Sequence, residues 1–287
     1  MIAYNWTCIV FLLQFWTIFC LDAESDCGIR NFEGDNPSTD GALLPDITKR
    51  LAGAEEAVRG EFPWQVRLRS FGQLTYSGVL VRPAWVLTAA SCFNDNYNPS
   101  LWTAVLNDLS STSVDPGEQV IYVDSIFIYG GFKRGNSRNN FALVKLKAPV
   151  TDKKPACIAN GTEDLISECV ITGWGSTGPG EAYSTTLRKL KVNLLDADAC
   201  STLQMTASVG ADQLCVTPAD DTVRSGDLEG PCTGDRGSPV LCKTGDKWAV
   251  VGVVSDESAC QSSRVTAPFV VNVGHFSTWI NKVISQF

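Results

Sequence analysis

The 287-residue chain has a single histidine, His275, and no Cys-x-x-Cys pair. Structural zinc sites are built from Cys and His at short spacings, so this scarcity argues against a metal centre. It also leaves one imidazole for any general-base chemistry. Positive charge is scarce as well: 23 Lys and Arg stand against 31 Asp and Glu, a formal charge of −8. Nucleic acid, anionic membranes and heparin-like chains are therefore disfavoured as partners. Beyond the N-terminus there is no long apolar run, no internal repeat and no low-complexity tract. No cofactor is called for.

One apolar run does exist, from Trp6 to Leu21, and Asp22 and the small Ala23 follow it. It is shorter than the roughly 20 residues of a spanning helix. Residues 1–23 are read as a secretory signal peptide, with a short membrane anchor as the alternative. Residues 24–50 are rich in Gly, Pro, Asp, Asn and Ser and end on the dibasic pair Lys49-Arg50, which suits a linker or pro-segment. Residues 51–287 follow strand rules. Trp64, Val66 and Leu68 alternate with Gln65, Arg67 and Arg69, and the runs from 120 to 128, 191 to 195 and 248 to 254 are rich in β-branched and aromatic residues. Helical spacing is clear only at the C-terminus, where Phe276, Trp279, Ile280, Val283 and Ile284 form one face. An all-β barrel or sandwich with a docked terminal helix is predicted.

Of eleven cysteines, Cys8 and Cys20 fall in the signal region, which leaves nine. An odd count in an exported chain implies one reduced or intermolecularly bonded thiol. Asn160-Gly161-Thr162 is an N-glycosylation acceptor, so Asn160 is expected on the surface.

Six ordered motifs carry a resemblance. They are Arg50-Leu51-Ala52-Gly53-Ala54, Phe62-Pro63-Trp64-Gln65-Val66, Trp85 to Cys92 (WVLTAASC), Asn139 to Leu146 (NNFALVKL), Gly173-Trp174-Gly175 and Gly234-Asp235-Arg236-Gly237-Ser238-Pro239. Together they resemble the trypsin-like or chymotrypsin-like serine proteases over residues 51–284. The resemblance implies two six-stranded antiparallel β-barrels, a cleft between them and a C-terminal α-helix. It also implies that the catalytic histidine, aspartate and serine correspond to Ser91, Asn140 and Arg236. A hydroxyl is no base near neutral pH, an amide does not balance an imidazolium, and a guanidinium is no nucleophile. His275, at the start of the terminal helix, lies away from the cleft and does not replace the base.

Other implied positions are altered too. The base of the primary pocket corresponds to Gly230, and the substrate-pairing strand reads Ser255-Asp256-Glu257, with Glu257 at the pocket mouth. Arg236 is expected either to pair with Asp256 or Glu257 and plug the cleft, or to lie along the surface in water. The resemblance pairs Cys27 with Cys157, Cys169 with Cys242, Cys200 with Cys215 and Cys232 with Cys260. Tyr76 stands where the usual partner of Cys92 would be, so Cys92 is the odd thiol. Activation cleavage would fall between Arg50 and Leu51, with residues 27–50 held as a light chain. Asp235 would be the carboxylate that receives the new Leu51 amine; a constitutively folded, uncut chain is the alternative.

The expected function is binding without catalysis: a secreted cofactor, adaptor or decoy for extracellular proteins, such as an active protease or its substrate, in a proteolytic cascade or innate defence. A structural or storage protein of a secretion is one rival. A hydrolase using other chemistry, with Cys92 as nucleophile, is the second.

Overall fold

In a computed structural model of the chain, the described residues are 26–30, 54–70, 74–161, 168–176, 180–204, 209–219, 230–255 and 267–287. Signal and pro-segment (apart from residues 26–30), Arg50, Leu51, Asp256, Glu257 and Cys260 lie outside them. A two-residue strand, β1 (Glu55–Glu56), precedes the first barrel. That barrel contains β2 (Gln65–Ser70), β3 (Leu74–Arg82), β4 (Trp85–Thr88), β5 (Trp102–Leu106), β6 (Gln119–Ile128) and β7 (Ala142–Leu146). Their antiparallel ladder closes in the order β2-β3-β4-β7-β6-β5. Closure removes the sheet edges that an open sheet would leave unpaired.

A short strand, β8 (Cys157–Ile158), leads into the second barrel. It is formed by β9 (Cys169–Gly173), β10 (Arg188–Leu195), β11 (Gln213–Pro218), β12 (Pro239–Thr244), β13 (Lys247–Val254) and β14 (Phe269–Asn272). The order β9-β10-β11-β14-β13-β12 returns to β9, so six antiparallel strands close again. β1 extends this sheet beside β10, and β8 runs parallel to β13.

The alternation in β2 sends Trp64, Val66 and Leu68 into the first barrel, where they are fully buried. The polar face of the same strand is covered too, because it meets the second barrel. Gln65 accepts a hydrogen bond from Thr172 Oγ1 at 2.7 Å, and Arg67 lies 5.9 Å from the Trp174 ring. The terminal helix α2 (Ser277–Gln286) buries Ile280 and Val283, and Trp279 packs edge-on against Phe141, the residue after Asn140. A second helix, α1 (Ala197–Gln204), was not legible as a period of apolar residues. It starts where the Asp196 carboxylate accepts the Ala199 N–H at 2.7 Å, a cap that satisfies one of the orphan donors of the first turn. Its Cys200 is bonded to Cys215 in β11.

The Cys27–Cys157 and Cys169–Cys242 disulfides are present as expected. Cys232 is also disulfide-bonded, and its expected partner Cys260 lies outside the described residues. The N-terminal segment is held by more than a disulfide. Gly28 exchanges backbone bonds with Pro155 and Trp248, and the Arg30 guanidinium lies 3.8 Å from the Trp248 ring and 4.5 Å from that of Phe62.

Candidate functional site

Ser91 sits in a short 3-10 turn, Ala90–Phe93, just after β4. Ala89, Ala90 and Phe93 fill the barrel core, which draws the turn inward. Asn140 precedes β7, and the residue before it, Asn139, has φ 55°, a left-handed conformation that asparagine tolerates better than most side chains. Asn140 itself is buried. Its Nδ2 donates to Ser91 Oγ at 2.9 Å and to the Ser255 carbonyl at 3.3 Å, and its Oδ1 accepts the Ser91 backbone N–H at 2.8 Å. One amide thus ties β4, β7 and the end of β13 together. Neither the amide nor the hydroxyl is basic enough to take a proton near neutral pH.

Arg236 lies in the turn from Cys232 to Ser238, which is closed by Asp235 N–H to Cys232 carbonyl and Ser238 N–H to Asp235 carbonyl bonds, both 2.9 Å. Gly234 and Gly237 have φ of 96° and 83°. A Cβ on Gly237 would meet the Ser77 carbonyl and Thr88 Oγ1 within 2.3 Å, so the turn reaches this depth with glycine there. The Arg236 carbonyl accepts the Ser77 N–H at 3.2 Å and faces Cys92 Sγ at 3.8 Å. The backbone of Arg236 therefore stands beside the residue after Ser91, and its side chain is half-buried. The fold brings the three positions into one neighbourhood. Asp256 and Glu257, the expected partners of Arg236, are outside the described residues.

Cys92 is buried, in no disulfide, with Thr88 Oγ1 3.7 Å from its sulfur. Tyr76, in β3, packs against Trp102 with ring centroids 6.1 Å apart. Burial of this kind suits an inert structural thiol rather than a nucleophile. His275 is exposed and stacks edge-on against Phe276. Asn160 is exposed.

Asp235 is buried, and its carboxylate accepts the Gly175 and Cys232 backbone N–H groups at 3.0 and 2.9 Å. Gly173 and Gly175 make room for it, since a Cβ on either would come within 2.5 Å of its oxygens. This is the physical content of the Gly-Trp-Gly motif. A cavity of about 20 Å³ adjoins the carboxylate, lined by Ala54, Arg188, Gly230 and Pro231 among others. Gly230 is thus placed beside Asp235.

Three features were not anticipated from sequence. The exposed Tyr183 ring covers Gly234, where a Cβ would lie 2.6 Å from it. Arg138 pairs with Asp212 at 2.5 Å, and the Asn139 N–H also reaches that carboxylate, joining the two barrels next to Asn140. Finally, oxygens of Asp108, Asp115 and Glu118 lie within 4.8 Å of one another. Arg67 pairs with Asp108 at 2.5 Å and Arg59 with Asp115 at 2.6 Å, so two guanidinium groups supply positive charge to the cluster. Burial outweighs Arg67 and pushes the Asp108 carboxyl up to about 6. Asp115 moves the other way: burial opposes the change, but the Ser110 and Leu109 N–H groups and Arg59 hold its carboxyl below the usual range. The signal available in sequence was only three acids at spacings of seven and three.

Two closed six-stranded barrels, a terminal helix and motifs converging on the seam between the barrels define the chymotrypsin-type two-barrel class. The trypsin family matches residues 51–280, and the chain belongs to that family. Among curated proteins it is similar to testisin of Homo sapiens, 33% identical over 258 residues, covering 84% of this chain and 80% of testisin. The disulfides fit an oxidising compartment. No described helix is long and apolar enough to cross a membrane.

Proposed function

We propose that this chain is a secreted, non-catalytic member of the trypsin family that acts by binding extracellular proteins, as cofactor, adaptor or decoy in a proteolytic cascade or innate defence. The observation that carries the reading is the Asn140–Ser91 hydrogen bond: the pair that should generate and orient a base is an amide and a hydroxyl. The third position, Arg236, offers a guanidinium that stays protonated and does not attack a carbonyl. Loss of all three triad groups removes base, orienter and nucleophile together. Binding by loops on a rigid two-barrel scaffold is the use that remains.

Residues 1–23 act as the signal peptide, and Asn160, exposed beside β8, carries the glycan. Cleavage after Arg50 leaves residues 27–50 tethered through Cys27–Cys157. The new Leu51 amine then pairs with Asp235, whose cavity is lined by Ala54, three residues further along. A buried carboxylate gains from a cationic partner, which gives the cut a structural effect without catalysis.

The test is capture of partners from the source secretion by two baits, the intact chain and the chain cut after Arg50. Selective retention of a protease or a protease substrate supports the reading, and retention by the cut bait alone adds the switch. If neither bait retains anything selectively, the adaptor role is wrong.

A further inference from the structure

The 129–141 loop joins β6 to β7 and ends at Asn140. At its tip lies Lys133-Arg134-Gly135-Asn136, four exposed residues. Asn136 N–H bonds the Lys133 carbonyl at 3.0 Å, and Gly135 has φ 80°. That is a tight turn with glycine at its left-handed position, which presents the Arg134 side chain and the Arg134–Gly135 peptide to solvent. Among the described residues neither Lys133 nor Arg134 makes a salt bridge. Among the described residues the turn bond is the one backbone–backbone bond within 133–137, with a side-chain bond from the Arg138 N–H to Asn136 Oδ1 beside it. Opening the tip therefore disrupts little.

Several other basic residues are protected. Arg59-Gly60 also lies in a turn, but Arg59 is bound to Asp115. Lys154 precedes a proline, which trypsin-like enzymes do not accept. Lys243 and Lys247 lie in paired strands.

We propose that Lys133-Arg134 is a second processing site, at which a trypsin-like endopeptidase hydrolyses the peptide bond after Arg134 or Lys133 by addition of water. Loop tips with small residues and few bonds are where native proteins are nicked. β6 and β7 flank the site and are paired from Val123–Leu146 to Ile128–Ala142, so the nicked barrel stays assembled. The disulfides give the cut a logic. Cys27–Cys157 spans it, so a chain cut only here remains covalently one piece. Residues 51–134 contain a single cysteine, Cys92, which is in no disulfide. Cuts after both Arg50 and Arg134 therefore leave fragment 51–134 held by barrel packing alone. The first cut tethers; the pair of cuts makes five of the six strands of the first barrel, β2 to β6, separable from β7. The cut also frees one end of the segment leading into β7, which carries Asn140 and the Arg138–Asp212 bridge. Its regulatory meaning rests on the binding role proposed above; the cleavage itself does not.

The full chain and a Lys133→Gln, Arg134→Gln variant are treated with limiting trypsin under native conditions, and new N-termini are sequenced. The expected result is a fragment beginning at Gly135 or Arg134, formed at least about tenfold faster than global unfolding, and absent from the variant. On a denaturing gel without reductant, fragment 51–134 appears only in molecules also cut at Arg50. A loop that stays intact until the chain unfolds overturns the proposal. So does release, without reductant, of any fragment ending at Arg134 from chains whose Arg50 bond is unbroken, because Cys27–Cys157 should hold that piece. Partner capture has no part in this readout, so its failure is separate from failure of the binding role.

Discussion

Asn140 and Ser91 are joined twice: the amide nitrogen donates to the hydroxyl at 2.9 Å and the amide oxygen accepts the backbone N–H at 2.8 Å. Both partners are neutral, an amide and a hydroxyl. The pairing serves as a structural joint between β4 and β7, and its removal should be felt as lost stability. In Asn140→Ala the Ser91 N–H and the Ser255 carbonyl lose their partner in a buried place, at about 1–3 kcal/mol for each group left unsatisfied. The denaturation midpoint in urea should fall accordingly, with an unchanged slope.

Asp235 is the acceptor for two buried N–H groups. Asp235→Ala should cost about 1–3 kcal/mol for each donor it strands. Gly175→Ala attacks the same contact from the other side, since the new methyl would sit 2.3 Å from the carboxylate. Both should lower the midpoint of thermal unfolding. If Gly175→Ala is neutral, Asp235 does not occupy this position in solution.

The acidic cluster sets a pH dependence with a defined sign. Asp108 has its folded carboxyl at about 6, above the ordinary 3.8, with burial as the main cause and Arg67 opposing it. Between those values the folded chain holds a proton that the unfolded chain has released, so this group makes stability fall as pH rises from about 4 to about 6. Asp115, held below the usual range, acts in the opposite sense and only at lower pH, where its contribution is lost as it protonates. Urea midpoints measured from pH 4 to 7 should show that the difference between the parent and Asp108→Asn changes over this window. A constant difference would mean that Asp108 titrates normally.

Cys92 should resist alkylation in the native chain, and a chain lacking residues 1–23 should react once after denaturation without reductant. Rapid labelling of the folded protein would contradict its burial and revive a thiol-based activity.

Much of the fold was legible in the sequence because its signals are local. The alternation around Trp64, the β-branched runs and the apolar face of the terminal helix each report their own element. The motifs around Ser91, Asn140 and Arg236, far apart in sequence, lie in one neighbourhood of the fold. What was hidden depends on contacts between elements far apart in the chain. Gln65 and Arg67 are the polar residues of an alternating strand, yet they are buried, since β2 meets a second barrel 107 residues away in sequence, at Thr172 and Trp174. The clamp of Arg30 between Phe62 and Trp248, and the bridge of Arg138 to Asp212, have the same origin. Helix α1 escaped notice because its stability comes from a cap and a disulfide rather than an apolar stripe.

The most direct test of the central claim is labelling with a fluorophosphonate, which reports any nucleophile activated within a serine-protease cleft. The purified chain, intact and cut after Arg50, should incorporate none of the probe, and neither form should hydrolyse peptide esters above the buffer rate. Stoichiometric labelling of either form, at any residue, would contradict an account in which Ser91, Asn140 and Arg236 have replaced catalysis with binding.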